Sequence, residues 1–313
     1  MDENFKISFI IPTLNEERNL STVINSINNT MAKQAHEIIV CDNGSVDQTK
    51  SIGRSLGAKV YEDPAATIGG LRNIGARMST GNVFVFLDAD VSLDHGWWRE
   101  FQTILVKWTN DRNFITGSPC LISSNPGFYE RNWFSKFKHS TSNYINSGHL
   151  IINRSAFESI NGFDESLKTA EDYDLCQRAT KKGASVFNSS TLKAYHNGYP
   201  KTLIDFVSRE TWHGKQDLSS LSSFIHSKTA LLAFSNMAIL AFGVILTLLM
   251  KTWQPILVGI SASFTLALLL SYLKFGRSVN KTILQTTLCC ELYLLGRVGS
   301  ICTKGSRPKA RSK

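Results

Sequence analysis

The first two thirds of the chain alternates short apolar runs with amphipathic segments. Ile7-Ser8-Phe9-Ile10-Ile11 is a strand-like run closed by Pro12. Asn19 to Ile27 then places Leu20, Val23, Ile24 and Ile27 at helical spacing. Glu37–Cys41 reads as a second strand and Asp47–Leu56 as a helix. Lys59–Tyr61 is a short strand, Gly69–Met78 a helix, and Val83–Leu87 a wholly apolar strand. Such alternation predicts an α/β fold, with a mostly parallel, doubly wound sheet covered on both faces. Further on, Val186–Asn188 and a stretch near Leu192 read as extended.

The pattern changes at residue 228. Thr229–Met250 carries no charge over 22 residues, and Trp253–Leu273 none over 21. Each is long enough to cross a hydrocarbon core. Lys228, Lys251 and Lys274 punctuate them, and the two-residue link Lys251-Thr252 implies a helical hairpin. A third apolar stretch, Ile283–Cys302, holds Glu291 and Arg297, and a central charge is costly in a spanning helix. The expected organisation is a domain over 1–227 and two transmembrane helices over 228–274. A loop, an interfacial or third membrane helix and a basic tail fill 275–313.

Charge agrees with that division. Eleven basic residues face one acid, Glu291, from Lys228 onward, although the whole chain carries only +9. The body of the protein is therefore near neutral, which argues against a nucleic-acid partner. Positive loops stay cytoplasmic. The Lys274–Lys281 loop (Lys274, Arg277, Lys281) and the tail (Lys304, Arg307, Lys309, Arg311, Lys313) thus favour a cytoplasmic N-terminal domain, with Ile283–Cys302 in the interface. This predicts a multi-pass protein of the inner (plasma) membrane, in contact with membrane lipids. The N-terminus has no apolar leader. Six cysteines without zinc spacing read as free thiols.

In doubly wound sheets, ligands bind beyond the carboxyl ends of the strands. Three acid-bearing loops fall there: Pro12–Glu17, Asp42–Asp47 and Asp88-Ala89-Asp90. Two acids with one spacer at a strand end suit a hard divalent cation bridging to phosphate. Asp-x-Asp also occurs in turns and caps, and Asn15 or Asp47 serves equally to start the next helix. Neither a Gly-x-Gly-x-x-Gly fingerprint nor a P-loop follows the first strand.

Phe9-Ile-Ile-Pro-Thr-Leu-Asn-Glu-Glu17, Ile39-Val-Cys-Asp-Asn-Gly-Ser-Val-Asp-Gln-Thr49, Arg72-Asn-Ile-Gly-Ala76 and Asp88-Ala-Asp90 occur in that order. Together they resemble the family 2 inverting glycosyltransferases of GT-A, Rossmann-like fold, over residues 5–217. The resemblance implies a nucleotide-sugar site lined by Pro12, Thr13, Asn15 and Glu16. It implies that Asp42 accepts from the base, Arg72 touches the diphosphate and Asp88 serves the ribose side. Asp90 would hold Mn²⁺ or Mg²⁺, which stabilises the leaving diphosphate.

Downstream, Asn161-Gly-Phe-Asp-Glu165 precedes Glu171-Asp172-Tyr173-Asp174. In the resembled family the general base lies in such a Glu171-Asp172 pair, usually the second acid, here Asp172. Acids clustered at a helix start, favoured by its dipole, give the same pattern. His196 stands where related enzymes complete the metal shell, and imidazole is an acceptable Mn²⁺ ligand. Thr211–Lys215, with His213 and Gly214, is expected as a loop able to close over the diphosphate. Phe128–Lys138 interleaves aromatic and basic residues, which fits a bilayer interface or a core cover equally.

The expected activity is transfer from a nucleotide-diphosphate sugar, with uracil suited to Asp42, to a hydroxyl of a sugar or lipid-linked sugar in cell-surface glycan synthesis. A polyprenyl-phosphate sugar synthase, a nucleotidyltransferase and a non-catalytic membrane scaffold are the rival readings. Pro12–Glu17 lacks the Gly and Arg of a nucleotidyltransferase loop. A phosphate acceptor needs no base.

Overall fold

The run at Ile7–Thr13 (β1) is buried along its whole length, as a strand covered on both faces must be. The computed structural model describes residues 6–32, 34–107, 113–123, 126–139, 144–167, 169–218 and 220–302. The early elements follow the sequence pattern closely. They are α1 (Leu20–Met31), β2 (His36–Asp42), α2 (Thr49–Ser55), β3 (Lys59–Glu62), α3 (Ile68–Met78) and β4 (Val83–Leu87). Helix α1 buries Leu20, Val23, Ile24, Ile27 and Met31, the expected stripe. Next come β5 (Val91–Leu93), α4 (Trp97–Lys107), β6 (Phe114–Gly117), β7 (Leu121–Ile122), α5 (Phe128–Asn132) and β8 (His149–Asn153). The series continues with α6 (Arg154–Ser159), α7 (Glu171–Lys181), β9 (Ser185–Asn188) and β10 (Ala194–His196).

Two compact units divide the chain: Met1–Ser124 with Lys138–Gly198, and Asn125–Phe137 with Tyr199–Lys313. In the first, a seven-stranded sheet runs β3-β2-β1-β4-β8-β6-β9. One face packs Phe9, Val85 and Ile11 against α1 and α4, with Trp97 and Phe101 stacked at 5.1 Å. The other packs Ile10, Phe84 and Phe86 against Phe157 and Phe163.

The seven-stranded sheet is mostly parallel, as the sequence pattern predicts, and is made mixed by one strand, β8. β8 runs antiparallel to both β4 and β6, pairing Leu87 with His149 and Val83 with Asn153. An antiparallel neighbour begins where β4 ends. The segment leading into β8, Asn146–Gly148, therefore arrives at the edge that carries Asp88. A second sheet, β5-β10-β7, sets His196 opposite Val91.

The second unit is helical: α8 (Leu203–Asp217), α9 (Leu221–His226), α10 (Lys228–Met250), α11 (Gln254–Phe275) and α12 (Ile283–Gly299). Among the described residues, α10 and α11, of 23 and 22 residues, are long and apolar enough to cross a membrane. They turn at Lys251, which takes φ +53°, and cross where a Cβ on Gly243 would lie 3.2 Å from the Gly259 Cα. In α12, the Tyr293 hydroxyl lies 3.4 Å from Thr229 Oγ1 and its ring 5.2 Å from Lys274 Nζ. Those residues mark the start of α10 and the end of α11. Both charged side chains of α12 bond within this unit. Arg297 donates to Asp217 (2.8 Å) and pairs with Glu210 (3.2 Å), and Glu291 accepts from Asn236 Nδ2 and Ser263 Oγ, both 2.8 Å away.

The aromatic segment Phe128–Phe134 belongs to this helical unit. Tyr129 stacks on Phe206 at 4.7 Å, and Trp133 packs against Phe275 and Tyr293. Tyr129, Trp133 and Phe134 form core, with Trp133 2 % exposed, whereas Phe128 is exposed. Thr211–Lys215, expected as a loop, is the last part of α8. Gly214 there packs so closely that a Cβ would meet the Arg297 carbonyl at 2.6 Å. Cys41, Cys120, Cys176, Cys289 and Cys290 are free. The side chain of Arg277 and the tail from 303 lie outside the described residues.

Candidate active site

The loops after β1 and β2 are tied together by side chains. Asn15 adopts φ +56°, a conformation Asn tolerates better than most residues. Its N–H donates to Ser45 Oγ (2.8 Å), and its Oδ1 accepts from Val46 N (3.0 Å). Glu16 N donates to Thr49 Oγ1 at 2.8 Å. Asp42 is fully buried and accepts from Thr13 Oγ1 (2.8 Å), Ser45 N (2.7 Å) and Ser45 Oγ (2.6 Å). Pro12 lies beside Cys41 and Thr13 beside Asp42 in the β1–β2 register. All five sequence-derived residues of this side, Pro12, Thr13, Asn15, Glu16 and Asp42, thus share one strand-end edge.

After β4 the chain turns sharply, with Val91 N donating to the Asp88 carbonyl at 3.0 Å. Asp90 continues into β5, whose pairing with β10 delivers His196. The His196 Nε2 and Asp90 Oδ2 atoms lie 3.7 Å apart. Two ligands of one small octahedral cation, each ~2.1 Å from it, stand ~3–4 Å apart. The pair fits that requirement. Gly198 adds to the fit, because a Cβ there would collide with Asp90 Oδ2. Among the described residues no three His, Cys, Asp or Glu side chains gather as a cation cage. A cation on this pair would complete its shell with ligand oxygens and water. Cys120 lies close by: burial, and then the charges of Asp88 and Asp90, push its thiol up.

Arg72 departs most from its sequence-derived place. It is 1 % exposed. Nη1 donates to Glu171 Oε1 at 2.7 Å and Nη2 to Asp88 Oδ1 at 2.9 Å. The guanidinium thus joins two acids that lie far apart in sequence. Thr67 caps α3 by accepting from Gly70 N, which fixes the helix start one turn before Arg72.

Glu171 and Asp172 open α7, following Ala170 at φ +61°. Both are buried, at 7 % and 8 % exposure. Asp172 accepts from Tyr173 N (2.8 Å) and Ser147 N (3.3 Å). Burial first, and the neighbouring Glu171 charge second, raise the Asp172 carboxyl above its usual range. The two backbone donors and Arg72 oppose that rise. A carboxylate whose proton affinity is raised by its surroundings is suited to accept one.

Sequence reasoning overlooked Ser147, Gly148 and His149. Ser147 Oγ lies 3.3 Å from Glu171 Oε1, and Asp88 N donates to the Gly148 carbonyl at 3.2 Å. His149 is wholly buried and accepts from Trp97 Nε1 at 2.9 Å on Nε2. Its Nδ1 therefore carries the proton, facing Ser118 Oγ at 2.8 Å. Burial drives this imidazole down to about 3. The legible signal was a polar stretch, Asn146-Ser-Gly-His149, directly before the apolar run Leu150–Ile152.

The sequence model described as glycosyl transferase family 2 matches residues 8–160. Glycosyltransferase AglE of Haloferax volcanii is 28% identical over 207 residues, covering 62% of this chain and 67% of that protein. The pre-mycofactocin glycosyltransferase of Mycobacterium tuberculosis is 26% identical over 254 residues, covering 75% of this chain and 52% of its own length. The chain thus spans about half of that second relative. Among solved structures, a mannosyltransferase from Pyrobaculum calidifontis, in complex with GDP-Man and Mn²⁺, superposes with a TM-score of 0.54. It shares 16% identity over 94% of this chain and 86% of that one, a likeness of fold. Residues 8–160 are thus a glycosyltransferase family 2 domain, and the matches together support a family 2 glycosyltransferase with a GT-A-like α/β fold.

Proposed function

We propose that the chain transfers a sugar, with inversion, from a nucleotide-diphosphate sugar to a hydroxyl of a sugar or lipid-linked sugar. The observation that carries this reading is Asp172: a buried carboxyl, raised in proton affinity, held by two backbone N–H groups at the start of α7. A phosphate acceptor needs no such group. In the step, the Asp172 carboxylate takes the acceptor hydroxyl proton as its oxygen attacks C1 of the sugar. The C1–O bond to the diphosphate breaks, and the diphosphate leaves with the electron pair from the opposite face. Glu171 holds Arg72 and does not touch the reacting atoms.

Pro12, Thr13, Asn15 and Glu16 shape the nucleotide side. Asp42 contributes by bracing the first two loops, since its oxygens already receive three hydrogen bonds. Asp88 borders the ribose, and Asp90 with His196 would hold Mn²⁺ or Mg²⁺. The cation supplies charge for the departing diphosphate. The mannosyltransferase of similar fold, seen with GDP-Man and Mn²⁺, supports a divalent metal and leaves guanine and uracil donors both open.

Helices α10 and α11 serve as a membrane hairpin, with the transferase unit on the cytoplasmic face. Support comes from their length and the basic residues of the later segments. Helix α12 lies in the interface, in keeping with the contacts of Tyr293 at the Lys228 and Lys274 ends of the hairpin. In this reading the protein acts in cell-surface glycan synthesis.

The test is a panel of UDP- and GDP-sugars incubated with the full chain and native membrane lipids, with and without EDTA. Metal-dependent transfer to an acid-stable, hydroxyl-linked product is expected. A product cleaved by mild acid to free polyprenyl phosphate would overturn the hydroxyl-acceptor reading. The absence of metal-dependent nucleotide binding would favour a scaffold.

A further inference from the structure

Asp88 and the adjacent pair Glu171-Asp172 come from distant parts of the sequence, and one cation joins Asp88 to Glu171. Arg72 bridges Asp88 Oδ1 at 2.9 Å and Glu171 Oε1 at 2.7 Å. Its side chain is 2 % exposed, and its guanidinium lies 5.6 Å from the Phe163 ring centroid. A side chain held through both Nη atoms, with a ring against it, has little freedom to turn toward a ligand. The contacts also close into a ring. Asp88 N donates to the Gly148 carbonyl, the adjacent Ser147 hydroxyl meets Glu171 Oε1 at 3.3 Å, and Ser147 N donates to Asp172 Oδ2 at 3.3 Å. Asp88, Arg72, Glu171 and the Ser147-Gly148 backbone therefore hold one another, with Asp172 attached at Ser147.

We infer that Arg72 is a positioning residue, which fixes the donor-side carboxylate Asp88 and the base-side carboxylate Glu171 in one rigid frame and thereby sets the place and charge environment of Asp172. This deepens the transferase reading proposed above and rests on it for the identity of the two sides. It differs from the expectation that Arg72 grips the diphosphate. The physical reason is the count of charges. Glu171 and Asp172 are adjacent and both buried, and Arg72 is the cation bonded to Glu171. Without it, the Glu171 charge acts on Asp172 uncompensated, and like charges at such range disfavour ionisation. The other groups acting on or beside Asp172 are Tyr144 and Cys176, both neutral at ordinary pH because burial pushes them up. They do not replace the guanidinium.

The test uses the full chain in detergent micelles and two readouts independent of turnover. The first is the titration of the Asp172 carboxyl by carbon-13 NMR of labelled aspartate, assigned by the signal lost in Asp172→Asn. The second is the affinity for UDP and for GDP with Mn²⁺, by calorimetry. Arg72→Met is expected to move the Asp172 midpoint upward by about one pH unit or more, with nucleotide affinity within about threefold of wild type. Arg72→Lys keeps the charge but not the fork. It should leave the midpoint within about half a unit while transfer falls about tenfold. If Arg72→Met does not fold, Arg72→Lys and Ser147→Ala carry the test, the latter expected to move the midpoint upward by a smaller amount. An unmoved Asp172 midpoint together with a tenfold or greater loss of nucleotide affinity would overturn the inference and return Arg72 to the diphosphate. Failure of Asp172→Asn to impair transfer would instead sink the base assignment, which the NMR titration does not depend on.

Discussion

Asp42 and Asp172 are both buried aspartates in the transferase unit, yet their surroundings ask opposite things of them. Asp42 sits at the end of β2 and receives three short hydrogen bonds from Thr13 and Ser45. Asp172 sits at the start of α7, with two backbone donors, one of them at 3.3 Å, and a second carboxylate beside it. Burial alone therefore does not make a base. A carboxylate fully supplied with donors is a brace, whereas one undersupplied and crowded by like charge is poised to take a proton.

The sharpest way to break this contrast is Asp172→Asn. Loss of the base should reduce transfer by about 10²–10⁴-fold with nucleotide affinity unchanged, measured by radiolabelled sugar transfer beside calorimetry. Folding raises the Asp172 pKa, so ionisation opposes the fold. That penalty appears as pH rises through the folded value and is full above it. Asp172→Asn should accordingly raise the thermal unfolding midpoint at neutral pH. A lowered midpoint would mean that Asp172 is a brace like Asp42. The wild-type rate should also fall as pH drops through the raised Asp172 pKa, giving an acid limb in kcat/KM that Asp172→Asn lacks.

Next in size are the metal-side variants. Asp90→Ala should lower metal-dependent transfer by about 10²-fold or more, and His196→Ala by less, since removing a charged ligand costs more than removing a neutral one. Gly198→Ala should act through Asp90, whose carboxylate a Cβ would strike. A loss of about 10–100-fold in Mn²⁺ affinity, with an unchanged unfolding midpoint, is the expected calorimetric result. Equal affinity in Gly198→Ala would show that the Asp90 position tolerates displacement.

Asp42→Asn should have the smallest effect on chemistry and a clear one on folding. It turns an amide donor toward groups that donate to two acceptor oxygens, at a cost of about 1–3 kcal/mol, read by chemical denaturation. A maximal rate retained within about threefold separates a brace from a base. His149 supplies a background that any pH study must subtract. Its folded pKa of about 3 lies below the ordinary 6.5. The stability this reflects is present above about 6.5 and is lost as pH falls toward 3, so an acid decline in folding is separate from an acid decline in rate.

Much of the donor side was readable in order along the chain because local signals specify it. Apolar runs fixed β1, β2 and β4, and polar residues directly after each run had to fall on one edge. The breaks Lys228, Lys251 and Lys274 marked the helical hairpin in the same way, since charge is visible residue by residue. Contacts set by pairing across the chain were not readable. His196 reaches Asp90 only because β10 pairs with β5. Ser147 and Gly148 reach Asp88, Glu171 and Asp172 because β8 runs antiparallel to β4, a direction that no local pattern encodes. Arg72 was expected as a diphosphate contact. Its two acids, Asp88 and Glu171, lie 16 and 99 positions away. The sequence by itself determined which residue types stand at the strand ends and which helices are apolar throughout, because hydrophobic period and charge are local properties. Only the tertiary structure decided which carboxylate is braced and which is poised, because that depends on donors and charges brought in from elsewhere in the chain.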